Sequence, residues 1–156
     1  MIIRPYITAD KEGCVAAFKS NMPKYFAPHE LTDFEEWLDK QHDTETVGGA
    51  KQFFVVDLDG KIIACGGYYV HPETKEARMS WGLVHHDFHK QGIGKMFLKY
   101  RITAIKAQFP GCVVAVDTSQ HSYPFFEKSG FKTIKVTDDF YAPGLDRYDM
   151  VLETQP

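Results

Sequence analysis

A strand that runs out into a glycine-bearing turn and then a helix constrains this chain more than any other stretch. Trp81 to Tyr100, WGLVHHDFHKQGIGKMFLKY, has an apolar run ending at Val84, a polar crossing and a helical pattern opening near Gly94. Gly92 and Gly94 remove Cβ atoms where the backbone must turn and where a ligand would approach. The first turn of the helix leaves N–H groups unpaired at the positive end of its dipole, a setting suited to a diphosphate. Lys90 and Lys95 flank the turn, and Lys99 and Arg101 extend a basic field in a chain whose formal net charge is −3. The pattern is an anion cradle after a strand. It is not a nucleotide P-loop, because no Gly-Lys-Ser/Thr follows. It also lacks the third glycine of a dinucleotide fingerprint.

At 156 residues, one domain spanning 1–156 with a real core is expected. The acidic balance argues against general nucleic-acid binding, which needs a basic face. No run approaches the length of a membrane span, and the opening MIIRPYITAD has no apolar signal-like segment. Cys14, Cys65 and Cys112 are odd in number and set among apolar residues, so they read as buried thiols of a reducing cytoplasm.

In chain order, Ile2–Ile7 reads as a strand, and Thr8 as the cap of a helix reaching about Ser20. Leu31, Phe34 and Leu38 give a second amphipathic helix over Glu30–Lys40. Asp43–Lys51 is a polar loop. Phe53–Leu58 and Lys61–Val70 are strands joined by Asp59-Gly60, a hairpin signal, with Gly66 and Gly67 marking a bulge or close backbone packing. Ala77–Val84 completes an antiparallel meander that delivers the chain into the cradle. The helix that follows places Leu98, Ile102, Ile105 and Phe109 on one face, and Pro110-Gly111 stops it. Cys112–Val116 reads as a strand buried on both faces. Ser122 caps a short helix over Tyr123–Ser129. Phe131–Val136 and Arg147–Leu152 are the last strands, with Thr137–Asp146 a loop between them.

Two segments carry a family resemblance. LVHHDFHKQGIGKMFL resembles the acetyl-CoA-binding signature of the GNAT superfamily of N-acetyltransferases. There His89-Lys90-Gln91-Gly92-Ile93-Gly94 occupies the place of Gln/Arg-x-x-Gly-x-Gly/Ala, with His89 where the family has Gln or Arg. DTSQHSYPFFEKSGF looks like the family's second segment, with Ser119 where an Asn often sits and Phe126 where a Tyr sits. The resemblance implies an α/β (α+β) fold, a mixed, splayed, mostly antiparallel sheet flanked by helices. It also implies acetyl-CoA as cosubstrate, a primary amine of a small molecule as acceptor, and exposed strands that pair two subunits into a homodimer. The cofactor-binding positions it implies are Leu83, Val84, His89, Lys90, Gln91, Gly92, Ile93, Gly94 and Lys95, with Ser119 and Phe126 on the far side.

The implied reaction is direct attack by a neutral amine on the acetyl carbonyl, which needs orientation, a base and an acid. Phe126 has no proton to give, so Tyr123, one turn earlier, is the candidate acid, with water as the alternative. His85 is the candidate base, beside His86 and Asp117. Tyr25, Phe26, Glu30, Trp81 and Tyr141 are candidates for an aromatic, partly acidic acceptor pocket that would favour a cationic amine. HHDFH lacks zinc-motif spacing, and no metal is expected. Two alternatives stay open: an acyl-CoA-binding or regulatory module without catalysis, and a protein acetyltransferase acting on lysines or N-termini.

Overall fold

The computed structural model describes residues 1–41, 50–71 and 73–153. Most of the polar loop expected over Asp43–Lys51 lies outside them. Seven strands form one sheet in the order β1-β2-β3-β4-β5-β7-β6, antiparallel except where β4 meets β5. The strands are β1 (Ile2–Pro5), β2 (Lys51–Leu58), β3 (Lys61–His71), β4 (Glu76–Val84), β5 (Val113–Thr118), β6 (Lys132–Ala142) and β7 (Leu145–Glu153). The helices are α1 (Lys11–Lys19), α2 (Pro28–Asp39), α3 (Ile93–Gln108) and α4 (Tyr123–Lys128).

Both faces of the central strands are covered, so consecutive residues of β2 serve two cores. Phe53 and Val55 pack with Phe18, Phe34 and Leu38 from α1 and α2, while Phe54 and Val56 pack with Phe97, Leu98 and Ile105 of α3. This is the period-two alternation of a strand buried on both sides. Helix α1 begins with a tight turn at Thr8–Asp10. The side chain that closes this turn is Asp10's: it accepts the Ile7 N–H at 2.9 Å and is gripped by both Nη atoms of Arg4 at 2.8 and 2.9 Å. Helix α2 starts two residues earlier than expected because Pro28 suits the first helical position and Glu30 Oε1 accepts the Ala27 N–H at 2.9 Å.

Asp59 and Gly60 both take positive φ (49° and 89°), as the β2–β3 hairpin requires. The register of β3 against β4 shifts between Cys65 and Gly67, and on β4 the extra residue is absorbed where Trp81 adopts φ 44°.

Three expectations are corrected. Residues 137–146 are not a loop; β6 and β7 run on to a tip at Pro143-Gly144. The aspartates there bind backbone. Asp139 Oδ1 accepts the Gly144 N–H at 2.7 Å, and Asp146 Oδ1 accepts the Asp139 N–H at 2.8 Å. Gln120 staples this hairpin from outside by donating to Gly144 O at 2.6 Å and accepting from Asp146 N at 2.8 Å. The buried face of α3 is Ile93, Phe97, Leu98, Arg101 and Ile105, so Arg101 faces the core rather than extending the basic field outward. Ser122 makes no side-chain cap bond to α4; Ser119 Oγ, accepting the His121 N–H at 3.2 Å, closes that turn.

Gly67 packs so closely on β2 that an added Cβ would fall on the Gln52 carbonyl oxygen, which is backbone and cannot swing aside. We predict that Gly67→Ala costs about 2–4 kcal/mol of stability, whereas Gly60→Ala, with open space and only left-handed strain, costs about 1 kcal/mol. Urea denaturation of the two variants checks this, and equal midpoints would contradict it.

Candidate functional site

The site begins as a failure of strand pairing. β4 and β5 run parallel for three register positions, Glu76↔Val113, Ala77↔Val114 and Arg78↔Ala115, and then part. Arg78 closes the last paired position by donating Nη2–H to Asp117 Oδ1 at 3.3 Å. Beyond it, Met79 to Val84 and Val116 to Ser119 form opposite walls of a cleft of about 1190 Å³. The left-handed Trp81 sits within the parted wall.

Strand residues turn their N–H and C=O groups to alternate sides. His85 donates its N–H to Ile63 O on β3 at 2.8 Å, so Val84 turns its own groups into the gap. The Val84 carbonyl is met there by two side chains: Asn21 Nδ2 donates at 2.9 Å, and His89 Nε2 lies at 2.8 Å. A carbonyl can only accept, so His89 carries its proton on Nε2. The residue at the first position of the glycine motif thus braces the end of β4. The Val84 N–H remains turned toward the gap.

The cradle follows. Lys90 (φ 61°) and Gly92 (φ 80°) are left-handed, and Gly92 is the N-cap residue of α3. A Cβ on Gly92 would meet nothing within 4 Å, so the space above it is open to a ligand. At Gly94 a Cβ would make ordinary contact with Phe125 and Val84. Lys90, Gly92, Gly94 and Lys95 all line the cleft. The first-turn N–H groups of α3, two lysines and an unencumbered backbone fit a diphosphate, and the parted strands beside them fit an extended amide-bearing arm.

The other mouth of the cleft is aromatic and acidic. The Tyr25 ring meets His89 edge-on at 5.7 Å and His121 edge-on at 6.0 Å, so it reaches both walls. Phe26 stacks on Phe18 at 4.3 Å, and Trp81 leans on Phe34 at 5.1 Å, so both serve the core and the cleft wall together. Tyr141 donates its hydroxyl to Asp117 Oδ2 at 2.6 Å; burial first, and the carboxylate second, push its pKa well above the phenolic range. Asp117 is further neutralised by Arg78 and by Arg147 at 3.9 Å. Glu30 has no basic partner within 4 Å among the described residues, and burial raises its pKa above the ordinary 4.5.

Of the residues read from the sequence, the structure gathers Leu83, Val84, His89, Lys90, Gly92, Gly94, Lys95, Ser119 and Phe126 around the cleft, with Tyr25, Phe26, Glu30, Trp81 and Tyr141. Four others do not line it. Gln91 donates to the Asp87 carbonyl at 3.2 Å, and Ile93 is buried in the α3 core. Tyr123 stacks flat on Tyr148 at 4.3 Å, which removes the expected acid from the cleft. His85 accepts the Asp87 N–H at 3.2 Å and packs on Phe88; burial lowers its pKa. Residues that the sequence did not single out include Asn21, Tyr68, Gly82 and His121, and Arg101, read as part of an outward basic field, lines the cleft from the core side. A Ser-Asn pair at the end of a helix gave no sign of reaching a strand carbonyl more than sixty residues away.

Comparison with known proteins agrees with this geometry. The profile of the acetyltransferase (GNAT) domain matches residues 14–154. The chain is 29% identical over 87 residues to the amino-acid acetyltransferase of Vibrio atlanticus, an alignment spanning 56% of this chain and only 19% of that protein. It is 24% identical to the N-alpha-acetyltransferase of Sulfurisphaera tokodaii, over 86% of this chain and 79% of that one. The fold superposes on an aminoglycoside 6'-N-acetyltransferase solved with coenzyme A, at TM-score 0.75 and 13% identity over 100% of this chain and 98% of that one.

Gly92→Val would put a branched side chain into the open space over the cradle and into a left-handed backbone. We predict a folded protein that binds coenzyme A at least about tenfold more weakly, with about 1–2 kcal/mol lost to strain. Calorimetric titration checks this, and wild-type affinity in a folded variant would contradict it.

Proposed function

Because this chain belongs to the GNAT acetyltransferase family, we propose that it transfers the acetyl group of acetyl-CoA to a primary amine of a small molecule. The observation that carries the reading is the parting of β4 from β5 beside the left-handed cradle at the start of α3. The coenzyme A held by a protein of the same fold supports it.

The cosubstrate supplies an activated acyl carbon on a thiol leaving group. The chain supplies position and proton control. N–H groups of the first turn of α3, with Lys90 and Lys95, hold the diphosphate. The Val84 N–H pairs with the amide arm, while Asn21 and His89 keep that strand end from collapsing into the gap. The acceptor enters on the Tyr25–Tyr141 side, where aromatic faces and Glu30 favour an ammonium.

Glu30 accepts the proton that the amine must lose, and its raised pKa makes it a better base than an exposed carboxylate. As the new C–N bond forms, the C–S bond breaks and the thiolate leaves. Phe126 brings no proton and Tyr123 is held on Tyr148, so the thiolate takes its proton from solvent. A thiol with a pKa of about 8.5 is a tolerable leaving group without a dedicated acid. A mouth bridged by Tyr25 suits a compact amine better than a protein segment. The buried free thiols of Cys14, Cys65 and Cys112 suit a reducing compartment, the cytoplasm.

The experiment is release of free thiol from acetyl-CoA across a panel of amines. Release that depends on one amine class supports the reading, whereas tight coenzyme binding with no release for any amine would favour a non-catalytic module. The base assignment has its own signature. Rate should rise with pH as Glu30 loses its proton, with a midpoint raised by burial above the ordinary 4.5. Glu30→Gln should lower kcat by about 10²-fold and abolish that limb. A Glu30→Gln enzyme that keeps the same limb would contradict the assignment.

A further inference from the structure

One buried charged side chain of the cleft has no counter-ion among the described residues. Arg101 lies at the centre of the buried face of α3 and is 5% exposed. Its head occupies space left by two glycines on neighbouring strands. A Cβ on Gly66 would lie 2.8 Å from Nη1, and one on Gly82 would lie 2.9 Å from Nη2. The guanidinium rests 4.7 Å above the Phe97 ring, and Nη1 makes one long bond, 3.4 Å, to the Gly67 carbonyl. Nε has no hydrogen-bond partner among the described residues. Among the described residues no carboxylate lies within 4 Å of it. The Cys65 thiol couples to it electrostatically, but burial holds that thiol protonated. Burial also pulls the pKa of Arg101 down to about 10, so the side chain still carries its charge at neutral pH.

A buried, uncompensated guanidinium is among the costliest arrangements in a protein core. This one opens into the cleft, and Gly82, the strand residue it touches, immediately precedes Leu83-Val84, along which the amide arm would lie. The diphosphate cradle is not its partner, because Ile93 starts α3 about two helical turns, roughly 12 Å, earlier. A second orphan polar atom, the buried Tyr68 hydroxyl, belongs to the same core cluster as Phe97 and lines the same cleft. A planar fork of donors and a hydroxyl lining the same cleft, with an otherwise apolar floor, match a carboxylate.

We propose that Arg101 is the receptor for a carboxylate that one of the two reactants carries into the cleft. The inference rests on the acyl-transfer reading above. The carboxylate has two possible carriers: the acyl group, as in a dicarboxylic monothioester of coenzyme A, or the acceptor amine itself. Gly66 and Gly82 are then positioning residues, small so that the guanidinium can reach the cleft floor.

Calorimetry and thiol release on the full chain separate these sources. Succinyl-CoA is compared with butyryl-CoA as donor, and phenylalanine with phenethylamine as acceptor. In one arm the carboxylate-bearing member should be preferred by at least about tenfold, the worth of a charge-assisted pair. Arg101→Met should erase that ratio and Arg101→Lys should keep part of it. Arg101→Met should also leave Tm unchanged or raise it, because it removes an unpaired buried charge. Acetyl-CoA binding with no carboxylate preference in either arm of the wild type overturns the inference alone. So does a preference that survives Arg101→Met. A large fall in Tm of Arg101→Met without any wild-type preference marks a structural cation and also overturns it. Failure of the wild type to bind acetyl-CoA removes the acyl-transfer reading and this inference with it.

Discussion

Two parallel strands that pair for three residues and then separate set the terms for the rest of this structure. A parallel pair in the middle of a sheet normally satisfies its backbone along its whole length. Here the separation leaves backbone groups facing a gap, and each local device around the gap answers that deficit. Asn21 and His89 take the Val84 carbonyl. Arg78 and Asp117 pin the fork at its root. The left-handed turn at Lys90–Gly92 brings the start of α3 back over the open end. What remains is a cleft with the Val84 N–H turned toward the gap on one wall, the place where the proposed amide-bearing ligand would lie.

The same economy of space explains the distribution of charge. Acidic groups on the acceptor side are mostly tied down, as Asp117 is by Arg78, Arg147 and Tyr141. Half-buried Glu30 on that side, with its raised pKa, and buried Arg101 on the floor have no ion-pair partner among the described residues, and an unpaired charge held partly out of water is tolerated in a fold chiefly where a ligand is to meet it. Glu30 suits an ammonium or its proton, and Arg101 suits a carboxylate. Their opposite signs set two different electrostatic addresses within one cleft.

Much of this was legible in the sequence because the signals are local. The Asp59-Gly60 hairpin, the glycine turn before α3 and the order of strands and helices follow from short-range periodicity and turn chemistry. The misreadings share a different cause, a partner distant in the chain. Thr137–Asp146 has the composition of a loop, yet Gln120 from the preceding segment holds it as a hairpin. Tyr123 reads as a helix-start hydroxyl facing a cleft until Tyr148 of β7 claims its ring. Arg101 beside Lys99 reads as surface charge. Only the glycines at 66 and 82, on two other strands, make room for it inside.

Amide hydrogen exchange with and without coenzyme A tests the central claim, that the gap between β4 and β5 is completed by an extended amide arm. The account predicts slowed exchange at Val84 and across the first turn of α3, residues 93–96, with the β6–β7 hairpin unchanged. Coenzyme binding that slows exchange elsewhere while leaving Val84 and the start of α3 as fast as in the free protein would contradict it.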